Sequence, residues 1–178
     1  DRLARLWKNT WLVLNISTTD FIRTTEERHR KIVHEFWRRI AQSGDIYKGI
    51  YEGLYCKGHE AFMKESELVD GLCPDHRTKP EHLKEENYFF RLSKYQDALL
   101  KLYEANHRWV TPESRFHEVK NFVTQGLEDI SISRETQTWG IPVPGDSRQV
   151  VYVWFDALIN YVSAVGLDAW EAHPADVH

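Results

Sequence analysis

The sequence has little cysteine, two residues in 178. That is too few for a disulfide framework and leaves both for metal binding or burial. No run of about 18 apolar residues occurs, so nothing reads as a membrane-spanning helix. No charged stretch leads into an apolar one, so no secretory signal is legible and a cytoplasmic protein is expected. Basic charge is not in excess: 23 Lys and Arg face 27 Asp and Glu, for a net charge of −4. A surface that is one polyanion-binding field is thereby excluded, while a local basic patch is not. Internal repeats and low-complexity tracts are also lacking.

What is present is a globular composition, 42% apolar and 13% aromatic. It excludes a disordered chain and suffices for the core of one ordinary domain or two small ones. The chain begins at Asp1, inside an amphipathic pattern in which Leu3, Leu6, Trp7, Thr10, Trp11 and Leu14 recur at helical spacing. At the other end, residues 172–178 offer no closing element. An internal piece of a longer protein is the expectation.

Thr24 and Glu27 read as a capping box. The helix they open turns Ile32, Val33, Phe36, Trp37 and Ile40 to one face, and Gly44 ends it. The period then changes to two: Tyr47, Tyr51 and Tyr55 share one face with Gly49 and Gly53, while Ile46, Ile50 and Leu54 share the other, a strand pattern. A turn-rich stretch runs to Pro80, and residues 83–92 form a second strand. Ser93 and Gln96 read as the cap of a helix carrying Tyr95, Leu99, Leu100 and Tyr103. Thr111-Pro112 opens another, with Phe116, Val119, Phe122 and Val123 inward. Two apolar strands follow, 130–132 and 150–155, the latter with the look of a buried parallel strand. Asp156 reads as the N-cap of a last helix through Val165. These elements predict an α/β fold, with the middle, from about Asp45 to Gly126, an inserted α+β module.

Two pairs stand out: Cys56 with His59, and Cys73 with His76. Each pair has two residues between its members, and thirteen separate the pairs. Two tight turns presenting two ligands each suit tetrahedral zinc, with Gly58 and Pro74 inside the turns. With all four positions filled by protein, such a zinc is structural. The alternative is coincidence, two buried cysteines near surface histidines.

In open α/β sheets ligands bind at the carboxyl ends of strands. Trp154, Ala157, Leu158 and Tyr161 fall there at helical spacing and would make a flat apolar wall suited to a thioether. Plain core packing explains the same periodicity. Arg134, at the end of the preceding strand, could fork to a carboxylate or phosphate, or simply pair with a surface acid.

Taken together, several blocks resemble the methionyl-tRNA synthetase family. They are Asp20-Phe21-Ile22-Arg23-Thr24-Thr25-Glu26-Glu27-Arg28-His29, Gly44-Asp45-Ile46-Tyr47-Lys48-Gly49 and Tyr51-Glu52-Gly53-Leu54-Tyr55-Cys56. To these add residues 84–95, Asp129-Ile130-Ser131-Ile132-Ser133-Arg134, residues 139–145 and Tyr152-Val153-Trp154-Phe155-Asp156-Ala157. The resemblance covers nearly the whole chain, in order.

It implies a class I Rossmann catalytic domain interrupted by an α+β connective-peptide insertion that carries a zinc knuckle. Residues 1–44 would end the first Rossmann half, 45–128 form the insertion, and 129–178 begin the second half. It further implies that Trp154, Ala157, Leu158 and Tyr161 line a methionine pocket, that Arg134 lies near the reacting groups, and that Cys56, His59, Cys73 and His76 hold zinc. The family usually has Cys at the position of His59.

The family's His-Ile-Gly-His motif would precede Asp1, and its Lys-Met-Ser-Lys-Ser loop would follow His178; neither occurs here, nor does the anticodon-binding domain. The expected parent is a methionine–tRNA ligase that uses ATP with magnesium to form methionyl-adenylate and then charges tRNA(Met). This stretch alone is expected to be inactive. The competing expectation is a non-enzymatic zinc ribbon that binds RNA or a protein.

Overall fold

The computed structural model describes residues 2–59, 61–135 and 137–172. It divides into two compact units, one of Asp1–Arg38 with Val153–His178, the other of Arg39–Tyr152.

In the first unit, helix α1 (Arg2–Val13) follows the expected period yet buries none of its residues; Leu3, Leu6 and Trp7 are exposed. Trp11 meets the Phe21 ring edge-on at 5.0 Å. Helix α2 (Glu27–Gln42) sets His29, Val33 and Trp37, spaced four apart, on its buried side. Trp37 packs edge-on against Phe155 at 5.9 Å.

The expected capping box is not what starts α2. A turn closed by Glu26 N–H on the Arg23 carbonyl, at 2.9 Å, precedes it, so Glu27 is the first helical residue rather than the third. The helix ends as predicted. Gly44 adopts φ +77°, Gly44 N–H donates to the Ala41 carbonyl, and Asp45 N–H donates to the Ile40 carbonyl, a Schellman closure.

The expected strand 150–155 is also revised. Strand β7 (Asp146–Val151) stops at Val151, and Val153 already starts helix α5 (Val153–Leu158). Helices α6 (Asn160–Val165) and α7 (Leu167–Ala172) follow. Trp154 and Phe155 are therefore helical. A continuous apolar run carries no period by which to place the switch from strand to helix. Asp156 lies inside α5 rather than at its cap. Residues 173–178, and the expectation of an unclosed end there, lie outside the described residues.

The second unit is built on a long antiparallel ladder. Strands β1 (Ile46–Cys56) and β3 (Glu81–Phe90) pair from Ile46↔Phe90 to Tyr55↔Glu81. Strand β2 (Ala61–Met63) flanks β1 and β4 (Ile130–Ser131) flanks β3, giving the order β2-β1-β3-β4. The alternation read from sequence is realised. Tyr47 stacks on Phe89 at 5.5 Å, and Tyr51 and Tyr55 meet Phe62 at 4.2 and 5.2 Å. The glycines between the tyrosines make room: a Cβ on Gly49 would come within 3.2 Å of the Phe89 ring, and one on Gly53 within 3.2 Å of Phe62.

Helices α3 (Gln96–Ala105) and α4 (Glu113–Thr124) close on a core of Tyr103, Phe116, Val123 and Leu127. Phe122, expected inward, is exposed, because it stands well round the helix from the Phe116–Val119–Val123 stripe. The expected Ser93–Gln96 cap is spent elsewhere: Ser93 Oγ donates to Asp129 at 2.6 Å, and Gln96 Oε1 accepts Leu127 N–H at 2.8 Å. A 3-10 turn, Leu92–Tyr95, leads into α3 instead.

A second small sheet runs β5-β7-β6, with β5 Ser133–Arg134 and β6 Pro142–Val143. Its pairings are antiparallel, which corrects the parallel reading of the 150–155 run; Val150 and Val151 are nonetheless buried, with Ile132, Ile141 and Val143. The described residues thus form a mixed helix-and-sheet fold, and none of their helices is long and apolar enough to cross a membrane.

Candidate functional site

Cys56 is the last residue of β1, and His59 follows in the turn to β2. The second pair sits on a loop that the sequence tightens twice. Asp70-Gly71, both at positive φ, make a two-residue reversal closed by reciprocal Val69 and Leu72 hydrogen bonds of 3.0 Å. Cys73 then anchors the next turn, accepting Arg77 N–H at 2.8 Å and donating to Thr78 at 2.9 Å.

The ligand atoms of Cys56, His59, Cys73 and His76 converge within 4.8 Å of one another. Cys73 Sγ lies 3.5 Å from Nδ1 of both His59 and His76, and Cys56 Sγ lies 3.8 Å from His76 Nδ1. A tetrahedral zinc with ordinary Zn–S and Zn–N bonds sets its ligands roughly 3.3–3.8 Å apart, so the donor set and spacing fit that metal. Gly58 is required here: a Cβ on it would fall 2.4 Å from the His76 ring. Both sulfurs are buried and free of disulfide. The His59 backbone N–H leads the effects that hold the Cys56 thiol down to about 6, which favours the thiolate form a metal would take.

Arg134 is buried, 8% exposed, which removes the reading of a surface ion pair. Its Nη1 donates to Ser131 Oγ and to the Ser133 carbonyl, both at 2.8 Å, and its guanidinium lies 4.1 Å over the Tyr152 ring. Among the described residues it meets no carboxylate. Ser133 Oγ in turn donates to Gln149 Oε1 at 2.7 Å and accepts Tyr88 N–H at 2.8 Å. The cation is held by neutral dipoles and an aromatic face, in a fixed position.

Trp154, Ala157, Leu158 and Tyr161 share one face of α5 and α6, because Ile159 between the helices keeps helical angles of φ −71° and ψ −12°. Trp154 is 66% exposed, Leu158 65% and Tyr161 58%; Ala157 is half-buried. They are not core. The core positions of these helices are Asp156, Ile159, Val162 and Ser163 on the opposite side.

That buried side holds polar groups the sequence reading passed over. His29 Nδ1 lies 3.0 Å from Ser163 Oγ, and burial pushes its pKa down. Asp156 is buried with Oδ1 lacking a partner among the described residues, and desolvation pushes its pKa up to about 6. His29 was findable, since it continues the Val33–Trp37 spacing by one turn. Asp75, bonded to His59 at 2.9 Å, was adjacent to a named ligand.

The family model for tRNA synthetases class I (M) matches residues 1–80 and 76–175. The methionine–tRNA ligase of Streptomyces coelicolor is 51% identical over 97% of this chain and 34% of its own length. That of Caldanaerobacter subterraneus subsp. tengcongensis is 47% identical over 100% of this chain and 29% of its own. Among solved structures, Mycobacterium tuberculosis methionyl-tRNA synthetase bound by methionyl-adenylate is similar, with a TM-score of 0.83 and 43% identity over 95% of this chain and 34% of that one. The chain thus spans about a third of the length of the relatives it matches.

Proposed function

From a chain that belongs to the methionyl branch of the class I tRNA synthetases, we propose the middle portion of a methionine–tRNA ligase. The parent would join methionine to ATP, supplied with magnesium, and pass the methionyl group from the adenylate to tRNA(Met). The observation that carries this reading is the exposed row of Trp154, Leu158 and Tyr161. Large apolar side chains are left facing outward along one helix face while polar Asp156, Ser163 and His29 are buried behind them. Stability alone would favour the reverse arrangement.

In the proposed division of labour, residues 1–44 end the first Rossmann half, 45–128 are the connective-peptide insertion, and 129–178 begin the second half. Trp154, Leu158 and Tyr161, with Ala157 giving space between them, form a wall that a thioether side chain packs on. Polar side chains of similar length gain nothing from such a wall and lose their hydration. Arg134 is proposed as a fixed cation for charge developing in the adenylation step; a donor already locked by Ser131, Ser133 and Tyr152 needs no reorganisation when that charge appears. Cys56, His59, Cys73 and His76 would hold one structural zinc, which ties the β1–β2 turn to the 73–78 loop. A cytoplasmic location belongs to the same proposal.

The alternative of a non-enzymatic zinc ribbon is not favoured, because relatives matching essentially the whole chain are named ligases. The test is methionine-dependent exchange of pyrophosphate into ATP. The longer protein carrying this sequence is expected to show it, and the 178-residue chain alone, which lacks both phosphate-handling motifs, is not. Exchange by the isolated chain, or none by the longer protein, would refute the reading.

A further inference from the structure

The metal centre has a feature that its four ligands do not explain. His59 uses both ring nitrogens: Nδ1 lies 3.5 Å from Cys73 Sγ, toward the converging ligand atoms, and Nε2 lies 2.9 Å from Asp75 Oδ2. A carboxylate accepts only, so Nε2 carries the proton and Nδ1 is left with its lone pair facing the cluster. Asp75 is not a stray surface acid that happens to be near. It sits between Pro74 and the ligand His76, inside the turn closed by the Cys73–Arg77 and Cys73–Thr78 hydrogen bonds. The loop that delivers two ligands therefore also delivers this carboxylate. His76, by contrast, has its Nδ1 among the sulfurs and no carboxylate bonded to it among the described residues.

The donor set gives the carboxylate a purpose other than charge balance. Two thiolates balance a dication, and two neutral imidazoles add nothing. A carboxylate hydrogen-bonded to one imidazole makes that ring a more basic ligand and adds one negative charge just outside the coordination sphere.

We propose that Asp75 is a positioning residue of the metal centre: it fixes the tautomer and orientation of His59, so that Nδ1 ligates, and it makes that neutral ring a more basic ligand. This rests on the zinc reading given above and deepens it. Because the Asp75 side chain is largely exposed, its effect belongs at the lower end of the usual 10–100-fold range for such partners.

The experiment measures zinc affinity of the 178-residue chain by competition with a chromophoric chelator, in four proteins: wild type, Asp75→Asn, His59→Cys, and the double variant. Wild type is expected to take up about one zinc per chain. Asp75→Asn is expected to bind roughly tenfold more weakly. With His59→Cys in place, where the ligand carries its own charge and has no second nitrogen to orient, Asp75→Asn is expected to change affinity less than twofold. Helical content is compared across the four, so that misfolding of one variant is seen as such, and nitrogen chemical shifts of zinc-loaded wild type should report His59 protonated at Nε2. If wild type binds zinc and Asp75→Asn binds equally well, the positioning role is overturned while the zinc site stands. An equal loss in both backgrounds overturns it too, since Asp75 would then act on the loop and not on His59. A wild-type chain that binds no zinc overturns the metal reading itself.

Discussion

His29 and Ser163 stand 134 residues apart in sequence and meet at 3.0 Å, both buried. Ser163 Oγ also donates to the Ile159 carbonyl at 3.0 Å, so its proton is spent and it accepts from His29 Nδ1–H. His29 therefore carries a proton on Nδ1, burial disfavours its charged form, and it ties α2 to the helix that carries Tyr161. Replacing it with Ala should remove this tie and leave a void, destabilising the chain by about 2–3 kcal/mol in urea titration. His29→Asn keeps an N–H donor and should recover part of that loss. Equal stability of wild type and His29→Ala would show the contact to be incidental.

Two buried groups give stability a pH dependence of opposite sign. Asp156 is raised to about 6 in the folded state, so the folded protein binds its proton more tightly than the unfolded chain. Stability from this group is full below the unfolded value near 4 and falls as pH rises toward 6, by about 3 kcal/mol in all. Asp156→Asn cannot ionise and should be more stable than wild type at pH 7 and little different at pH 4. His29 is lowered by burial, so its contribution is present above the unfolded value near 6.5 and declines as pH falls below it. Denaturation curves of wild type and Asp156→Asn across pH 4–8 separate the two, and a constant difference at all pH values would contradict the assignment.

Gly58→Ala should damage the metal centre more than any surface substitution nearby. Its Cβ would overlap the His76 ring at 2.4 Å, so the ring or the turn joining Cys56 to His59 has to shift. Zinc affinity should fall at least roughly tenfold, while the Tyr103–Phe116 helix pair, which packs on Val123 and Leu127, melts unchanged. Retained affinity would mean that His76 is free to move away and is not a ligand.

The ladder of β1 and β3 was legible because tyrosine and glycine take turns at every second position from Tyr47 to Tyr55, and glycines at that density disfavour the helix that the four-residue tyrosine spacing alone would allow. The Cys/His cluster was legible because two pairs repeat the same offset. The switch at Tyr152 was not, because Val150 to Phe155 is apolar at every position and says only that the segment can be buried. The caps at Thr24 and Ser93 misled for a different reason. Capping residues are also good hydrogen-bonding residues, and Ser93 found Asp129, far along the chain, instead of its own helix. Arg134 was legible as a residue but not as a buried one, since its partners, Ser131 and Tyr152, come from two strand ends that only the fold brings together.

In the proposed ligase, the outward face of α5 and α6 is where recognition of methionine is decided. The direct measurement is the Michaelis constant for methionine in pyrophosphate exchange by the longer protein, with and without Trp154→Ala. Because Trp154 is 66% exposed, its removal should leave folding stability within roughly 0.5 kcal/mol. If Trp154 is a wall for the methionine side chain, the same change should weaken methionine binding by on the order of 2–4 kcal/mol and leave the constant for ATP nearly as it was. An unchanged constant for methionine, or equal losses for methionine and ATP, would contradict the claim that this face reads the amino acid.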